Sequence, residues 1–329
     1  MIQIGLIGCG WLGRTHCRMI ARIPGATVTA YADRRPEAAH ALLDEFGGSY
    51  ATDDADRLLA DPALNAIYIV TRHDSHAPLC LAAIEAGKHV LLEKPIAMDL
   101  AQAEAIARAA ADSPLLVMPA FKMRFYPLVQ KAKAFLPKPQ VIVAQMMDNR
   151  WADDFWAQDP VEGGGNVFSQ GCHTTDLLRY FAGSEPTRLW ASGGSLTHPG
   201  HPCPDQCLAT LEFANGCRAA WVQGDAGLGH HTSKLFFGLH ADGRSVQLSD
   251  RLKRATFSDG EQVWTETCEE EEGYFLENVE FISALEECRK PGLTLHDGLQ
   301  ATRVVFSALE AMRSGEVQLL LDPKAQPGL

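Results

Sequence analysis

Up to about residue 120, short apolar runs alternate with alanine-rich stretches of helical spacing, the pattern of βαβ units and a parallel sheet. The runs at 3–7, 27–32, 66–70, 89–92 and 115–119 predict strands, and the segments 14–22, 36–46, 78–86 and 100–111 predict helices between them. Gly25, Gly47 and Gly87 fall at the breaks, and Asp99 stands where the last of these helices needs an N-cap. Beyond Arg124 the texture changes. Runs such as QVIVAQMMD, TRLWASGGSL, CLATLEF, CRAAWVQGD, SKLFFGLHA and RSVQLSD read as strands, with Ala214-Asn215-Gly216 and Ala241-Asp242-Gly243 as turns. Helices are fewer here, at 127–135, 172–181, 274–288 and 297–314. The expectation is an α/β domain with a parallel, doubly wound sheet over 1–121. An α+β domain with an open, largely antiparallel sheet then follows over 122–329, its helices on one face.

Composition narrows the function. The net charge of −12 disfavours nucleic acid or an anionic membrane, because either partner calls for a basic patch. The densest charge run, at 269–272, is acidic and reads as a solvated loop or helix start. The chain enters an apolar strand at once, with no basic leader, and no apolar run approaches the ~18 residues of a membrane span. A soluble, cytoplasmic protein is expected. Nine scattered cysteines fit buried, reduced thiols in that compartment. His198, His201, Cys203 and Cys207 are all zinc-ligand types, but their spacing matches no paired CxxC pattern. Three prolines in HPGHPCPDQC favour a loop before a strand, so no metal is expected.

The chemistry begins at the first turn. Gly8, Gly10 and Gly13, with Trp11 and Leu12 between them, form GxGxxG directly after the first strand and before a helix. The first glycine permits the tight turn, the second lets a pyrophosphate approach the backbone, and the third lets helix and strand pack closely. The helix N-terminus would offer free N–H groups to the phosphates. Asp33 ends the next strand, where a carboxylate can take the ribose hydroxyls. Asp33 favours NAD by repelling the extra phosphate of NADP. Arg34 and Arg35 keep NADP as the alternative, since they could fold over that phosphate. The 1–121 segment therefore reads as a dinucleotide-binding Rossmann domain.

Further motifs follow in order: Thr71 with His76, AGKHVLLEKP with Glu93-Lys94-Pro95, Arg124-Phe125-Tyr126-Pro127, GGGNVFSQGCHTTDLLRYFAG and HDGLQATRVVFSALEAMRSGEVQLLL. Together with the glycine motif they make the chain resemble the glucose–fructose oxidoreductase / inositol dehydrogenase (Gfo/Idh/MocA) family over nearly its whole length. The resemblance implies that Thr71, His76, Glu93 and Lys94 serve the cofactor, and that Lys94 lies beside the nicotinamide and the reacting alcohol. It implies a cis Lys94-Pro95 peptide. It makes His173 the acid/base, a role that suits imidazole because its proton exchanges near neutral pH. Asp176, three residues on, shares a helix face with His173 and would either orient it or cap the helix. One departure stands out. Many active members carry an aspartate four residues before the histidine, and here that position is Ser169, followed by Gln170.

The substrate expected from the resemblance is a sugar, inositol or glycoside with a secondary hydroxyl. Arg124, Trp151, Gln170, His173 and Asp176 are its candidate contacts beside Lys94. Trp151 and Trp156 read equally as sugar-stacking faces or as packing. The second domain would bind substrate and mediate a homodimer or homotetramer. Two other readings stay open: a non-catalytic dinucleotide sensor, which Ser169 keeps alive, and a reductase of an imine or tetrapyrrole.

Overall fold

The buried runs IQIGLI, AIYI and HVLLE become neighbouring parallel strands because each is apolar on both faces, as a sheet covered by helices on both sides requires. The computed structural model describes residues 1–227, 233–269 and 272–320. Of the acidic run at 269–272, residues 270 and 271 lie outside the described residues, as does residue 321 at the end of the last motif.

In chain order the first elements are β1 (Ile2–Ile7), α1 (Trp11–Ile20), β2 (Ala26–Ala32), α2 (Pro36–Phe46), β3 (Tyr50–Thr52), α3 (Ala55–Leu59), β4 (Ala66–Ile69), α4 (His76–Glu85), β5 (His89–Glu93), α5 (Leu100–Ala111) and β6 (Val117–Ala120). Then come α6 (Pro127–Phe135), β7 (Val141–Asn149), α7 (Gly165–Ala182), β8 (Pro186–Gly194), β9 (Gln206–Phe213), β10 (Arg218–Gly227) and β11 (Leu235–Ala241). The chain continues with β12 (Arg244–Ser249), β13 (Arg254–Ser258), β14 (Val263–Thr267), α8 (Gly273–Glu286), α9 (Leu295–Ser314) and β15 (Gln318–Leu319).

Contacts divide the chain into two units, Met1–Lys122 with Glu272–Leu299, and Met123–Glu271 with Gln300–Leu329. In the first, all six strands are parallel, in the order β3-β2-β1-β4-β5-β6. That order reverses between β1 and β4, the point at which doubly wound sheets bind ligands beyond their carboxyl ends. Asp99 caps α5 as its sequence position suggested, accepting from the Gln102 N–H at 2.7 Å. The AGKH segment contributes a buried amine: Lys88 Nζ donates to the carbonyls of Asp61 (2.6 Å) and Leu64 (2.9 Å), closing the turn after α3. α8 packs on α1, and Phe281 meets the ring of Tyr68 edge-on at 5.5 Å.

Among the described residues, the second unit is built on nine strands in the order β14-β13-β12-β11-β7-β10-β9-β8-β15. Every pairing is antiparallel except β7 with β10. One face carries α6 and α7. On the other, alternation leaves Val141, Val143, Trp190 and Leu208 exposed, and Leu208 faces Val222 across the β9–β10 pair.

α7 starts seven residues before the helix expected at 172–181. Gly164 and Gly165 take φ of +79° and +80°, a turn open to glycine, and a Cβ on Gly163 would lie 2.3 Å from the Ala157 backbone. The glycine run is thus a tight entry into the helix.

Candidate active site

The glycine loop is squeezed between the ends of β2 and β4. Gly8 N–H donates to the Ala32 carbonyl at 2.8 Å, and Val70 N–H donates to that of Ile7. A Cβ on Gly8, at φ +100°, would lie 2.3 Å from the Val70 carbonyl oxygen, and one on Gly13 would lie 2.2 Å from that of Gly8. Gly10 differs: it has φ −76° and nothing within 4 Å of its Cβ position. It is also the N-cap of α1, whose first turn has neither a side-chain cap nor an acidic residue. An open glycine before an uncapped helix start fits a pyrophosphate. Trp11 is exposed and Leu12 half-buried at the same turn.

Asp33 is tied into this loop. Its Oδ2 accepts from Cys9 N–H at 2.8 Å and its Oδ1 from Arg35 N–H at 2.9 Å. Arg34 and Arg35 are exposed beside it, with Arg35 Nε 3.5 Å from Oδ1. Thr71 follows β4, and buried His76 joins that end to the next: Nδ1–H donates to the Pro95 carbonyl at 2.7 Å, and Nε2 lies 3.1 Å from that of Thr71. Burial holds the His76 pKa below the ordinary imidazole value, favouring the neutral ring. The Lys94-Pro95 peptide is cis.

Lys94 is half-buried just past β5, and its N–H donates to Glu93 Oε2 at 3.0 Å. Buried Glu93 meets His16 Nε2 through Oε1 at 3.3 Å. Burial pushes the Glu93 pKa up, but the hydrogen bond from His16, with the pull of Lys94 and its N–H, holds it below the usual carboxylate value. The first unit thus gathers Gly8, Gly10, Trp11, Leu12, Gly13, Asp33, Thr71, His76, Glu93 and Lys94 at the carboxyl ends of β1, β2, β4 and β5, with Arg34 at the rim. A separate cavity of about 800 Å³, lined by Ala107, Leu115, Leu285, Lys290 and Leu299 among others, includes none of them.

The second unit carries the other predicted residues. His173, Ser169 and Asp176 are buried on α7, and Gln170 is half-buried. Gln223 of β10 anchors the helix beside His173. Its Nε2 donates to Asn166 Oδ1 and its Oε1 accepts from the Thr174 hydroxyl, both at 3.0 Å. Arg124 forks onto Asp176, with Nε 2.8 Å from Oδ2 and Nη2 2.6 Å from Oδ1, and both residues are buried.

Trp151 is held by a polar knot. Its N–H donates to Asp225 Oδ2 (3.2 Å), its indole N–H to Asp148 Oδ2 (3.2 Å), and His198 Nε2 lies 3.1 Å from its carbonyl. His198 Nδ1 lies 3.2 Å from Asp205 Oδ2, and Asp205 also accepts from the N–H groups of Leu196, Thr197 and His198. Burial opposes its charge, but these donors keep the Asp205 pKa low, whereas burial raises that of Asp225. The loop expected at 198–207 is therefore ordered by His198 with two aspartates. Among the described residues, the group gathered around His198 is Asp205 with Asp225, and it includes none of His201, Cys203 and Cys207.

Residues 2–121 match the profile described as "Oxidoreductase family, NAD-binding Rossmann fold", and residues 135–232 match the C-terminal domain profile of the same family. The chain belongs to the Gfo/Idh/MocA oxidoreductase family. Its relatives in that family include D-xylose 1-dehydrogenase (NADP(+)) 2 of Haloferax volcanii, 25% identical over 95% of this chain and 98% of the relative. Another is levoglucosan dehydrogenase of Pseudarthrobacter phenanthrenivorans, 26% identical over 78% of this chain and 77% of the relative. Among solved structures, levoglucosan dehydrogenase in complex with NADH and levoglucosan superimposes with a TM-score of 0.90 at 21% identity, covering 98% of this chain and 100% of that one. That likeness agrees with a Gfo/Idh/MocA fold. Sequence reasoning passed over His16 and Asn278. His16 lies one turn after Gly13 on the buried face of α1, a legible spacing, but nothing local connects it to α8.

Proposed function

We propose that this Gfo/Idh/MocA member is an NAD-dependent dehydrogenase of a secondary hydroxyl on a sugar, inositol or glycoside, working in either direction. The observation that carries the reading is the open Gly10 at the uncapped start of α1, with Asp33 beside it, in a chain whose relatives include sugar dehydrogenases. The bound dinucleotide would supply the hydride acceptor or donor. Lys94 orients the substrate oxygen and steadies its developing negative charge, while His173 exchanges the hydroxyl proton. Gln170 and Trp151 contact the sugar, and Arg124 with Asp176 fixes the turn of α7 that bears His173. Ser169 stands where many members of the family carry an aspartate, and this reading puts more of the charge stabilisation on Lys94.

The exposed apolar face of the second sheet, with Trp190, Leu208 and Val143, supports a homo-oligomer, and sedimentation as a monomer would remove that part of the reading. The free cysteines are in keeping with a cytoplasmic setting. Among the described residues no helix is long and apolar enough to cross a membrane.

The direct test follows absorbance of the reduced nicotinamide with NAD and NADP against a panel of sugars, inositols and glycosides. Turnover with NAD, exceeding that with NADP, is expected. A dinucleotide that binds without turnover on any member of the panel would favour the sensor reading instead. The cofactor site has its own check. Gly10→Ala should leave the melting temperature unchanged, because its Cβ meets nothing, yet weaken NADH binding by about tenfold or more, roughly 1.4 kcal/mol. Unchanged affinity by calorimetry would take Gly10 out of the phosphate site.

A further inference from the structure

His16, Glu93 and Asn278 form a buried line of hydrogen bonds beneath Lys94, all within the first unit. Its direction can be read from the donors. Asn278 Nδ2 donates to the Tyr274 carbonyl at 2.7 Å, which sets the amide, and lies 3.1 Å from His16 Nδ1. Asn278 Oδ1 lies farther from that ring nitrogen, at 3.4 Å, so with the amide set by Tyr274 His16 Nδ1 accepts from Nδ2–H, and Nε2–H is left to donate to Glu93 Oε1. Glu93 Oε2 then accepts the Lys94 N–H. An ionised carboxylate only accepts, so two donors converge on it correctly.

We propose that His16, oriented by Asn278, is a positioning residue for Lys94: it holds Glu93 as the acceptor that fixes the Lys94 peptide at the end of β5. The proposal rests on the dehydrogenase reading, in which Lys94 meets the substrate oxygen. The other groups around His16 are compatible with it. Cys17 on α1 has its thiol pushed up to about 12 by burial, and Tyr68 on β4 has its hydroxyl held well above the ordinary value by the same cause. From α8 come Tyr274, edge-on to the imidazole at 5.9 Å, and the carboxyl of Glu277, which lies within 4.8 Å of the Glu93 and His16 ligand atoms. Lys122 Nζ sits 3.6 Å from the centre of the Tyr274 ring. Without His16, burial and Glu277 both drive Glu93 towards its protonated form. Glu93 then stops serving two donors, and Lys94 loses its fixed anchor.

The test titrates Glu93 in the whole protein by carbon NMR of labelled glutamate, the signal being assigned with Glu93→Gln. In His16→Leu the Glu93 midpoint should rise by about one pH unit or more, and His16→Gln, which keeps a donor at the Nε2 position, should restore it. With the substrate found in the panel, the acid limb of the kcat profile should move up with Glu93. In the leucine variant kcat should fall by about 10²-fold, while the NADH Kd stays within about twofold. Should the leucine variant fail to fold, His16→Asn, too short to reach Glu93, gives the same reading. A Glu93 midpoint unmoved by loss of His16, or one that moves while kcat and its acid limb do not, overturns the proposal. Wild-type protein without turnover would sink the dehydrogenase reading, and the NMR titration would still decide whether His16 governs Glu93.

Discussion

Alanine at position 94 is expected to lower kcat by about 10²–10⁴-fold while leaving NADH affinity within about tenfold of wild type. The asymmetry follows from how Lys94 is built in. Its backbone N–H, which alanine retains, makes the bond to Glu93, so the end of β5 and the Pro95 carbonyl held by His76 keep their places. What is lost is the side chain beyond Cβ, and with its ammonium the charge that would meet an alkoxide. Steady-state rates and calorimetry on the same preparation check both halves. Turnover within about threefold of wild type would take Lys94 out of the chemistry.

Arg124→Ala should cost about 3–5 kcal/mol of stability, because it leaves the Asp176 carboxylate buried with its fork of donors removed. For a domain of this size that corresponds to a melting temperature lower by roughly 6–20 °C. Lysine should rescue little, since the Nε and Nη2 geometry needs a planar guanidinium. The double variant Arg124→Met with Asp176→Leu should recover most of the loss, as apolar groups of similar volume remove the buried charge altogether. A single variant that melts within about 2 °C of wild type would show that water reaches Asp176.

The first sheet was legible because its strands are uniformly apolar and its helices carry their own punctuation, as Pro36 and Asp99 do. β3 and α3, three and five residues long, are too short for periodicity to register. The start of α7 was misplaced because a run of three glycines reads as loop, and only the Ala157 backbone, the Phe168 ring and Cys203 packed against it reveal that it has no room for side chains. In the candidate site, the residues next to glycines and strand ends could be found from spacing alone. The buried partners could not: Gln223 behind α7, Asp225 behind Trp151 and Asn278 behind His16 lie tens to hundreds of residues from the groups they hold. The return of Glu272–Leu299 to the first unit has no signature in composition either.

Asp33 ties the choice of cofactor to the shape of the glycine turn. The carboxylate that would face the ribose also accepts the Cys9 N–H inside the glycine turn. A substitution that removes the acceptor oxygen together with the charge therefore also unties the loop that would hold the phosphates. Alanine or glycine at this position is expected to weaken NAD binding without a matching gain for NADP, because the turn itself loses its tie. Asparagine keeps an acceptor oxygen within reach of Cys9 and sheds the charge, so it is the single change expected to spare the turn while easing the approach of a further phosphate beside the exposed Arg34 and Arg35.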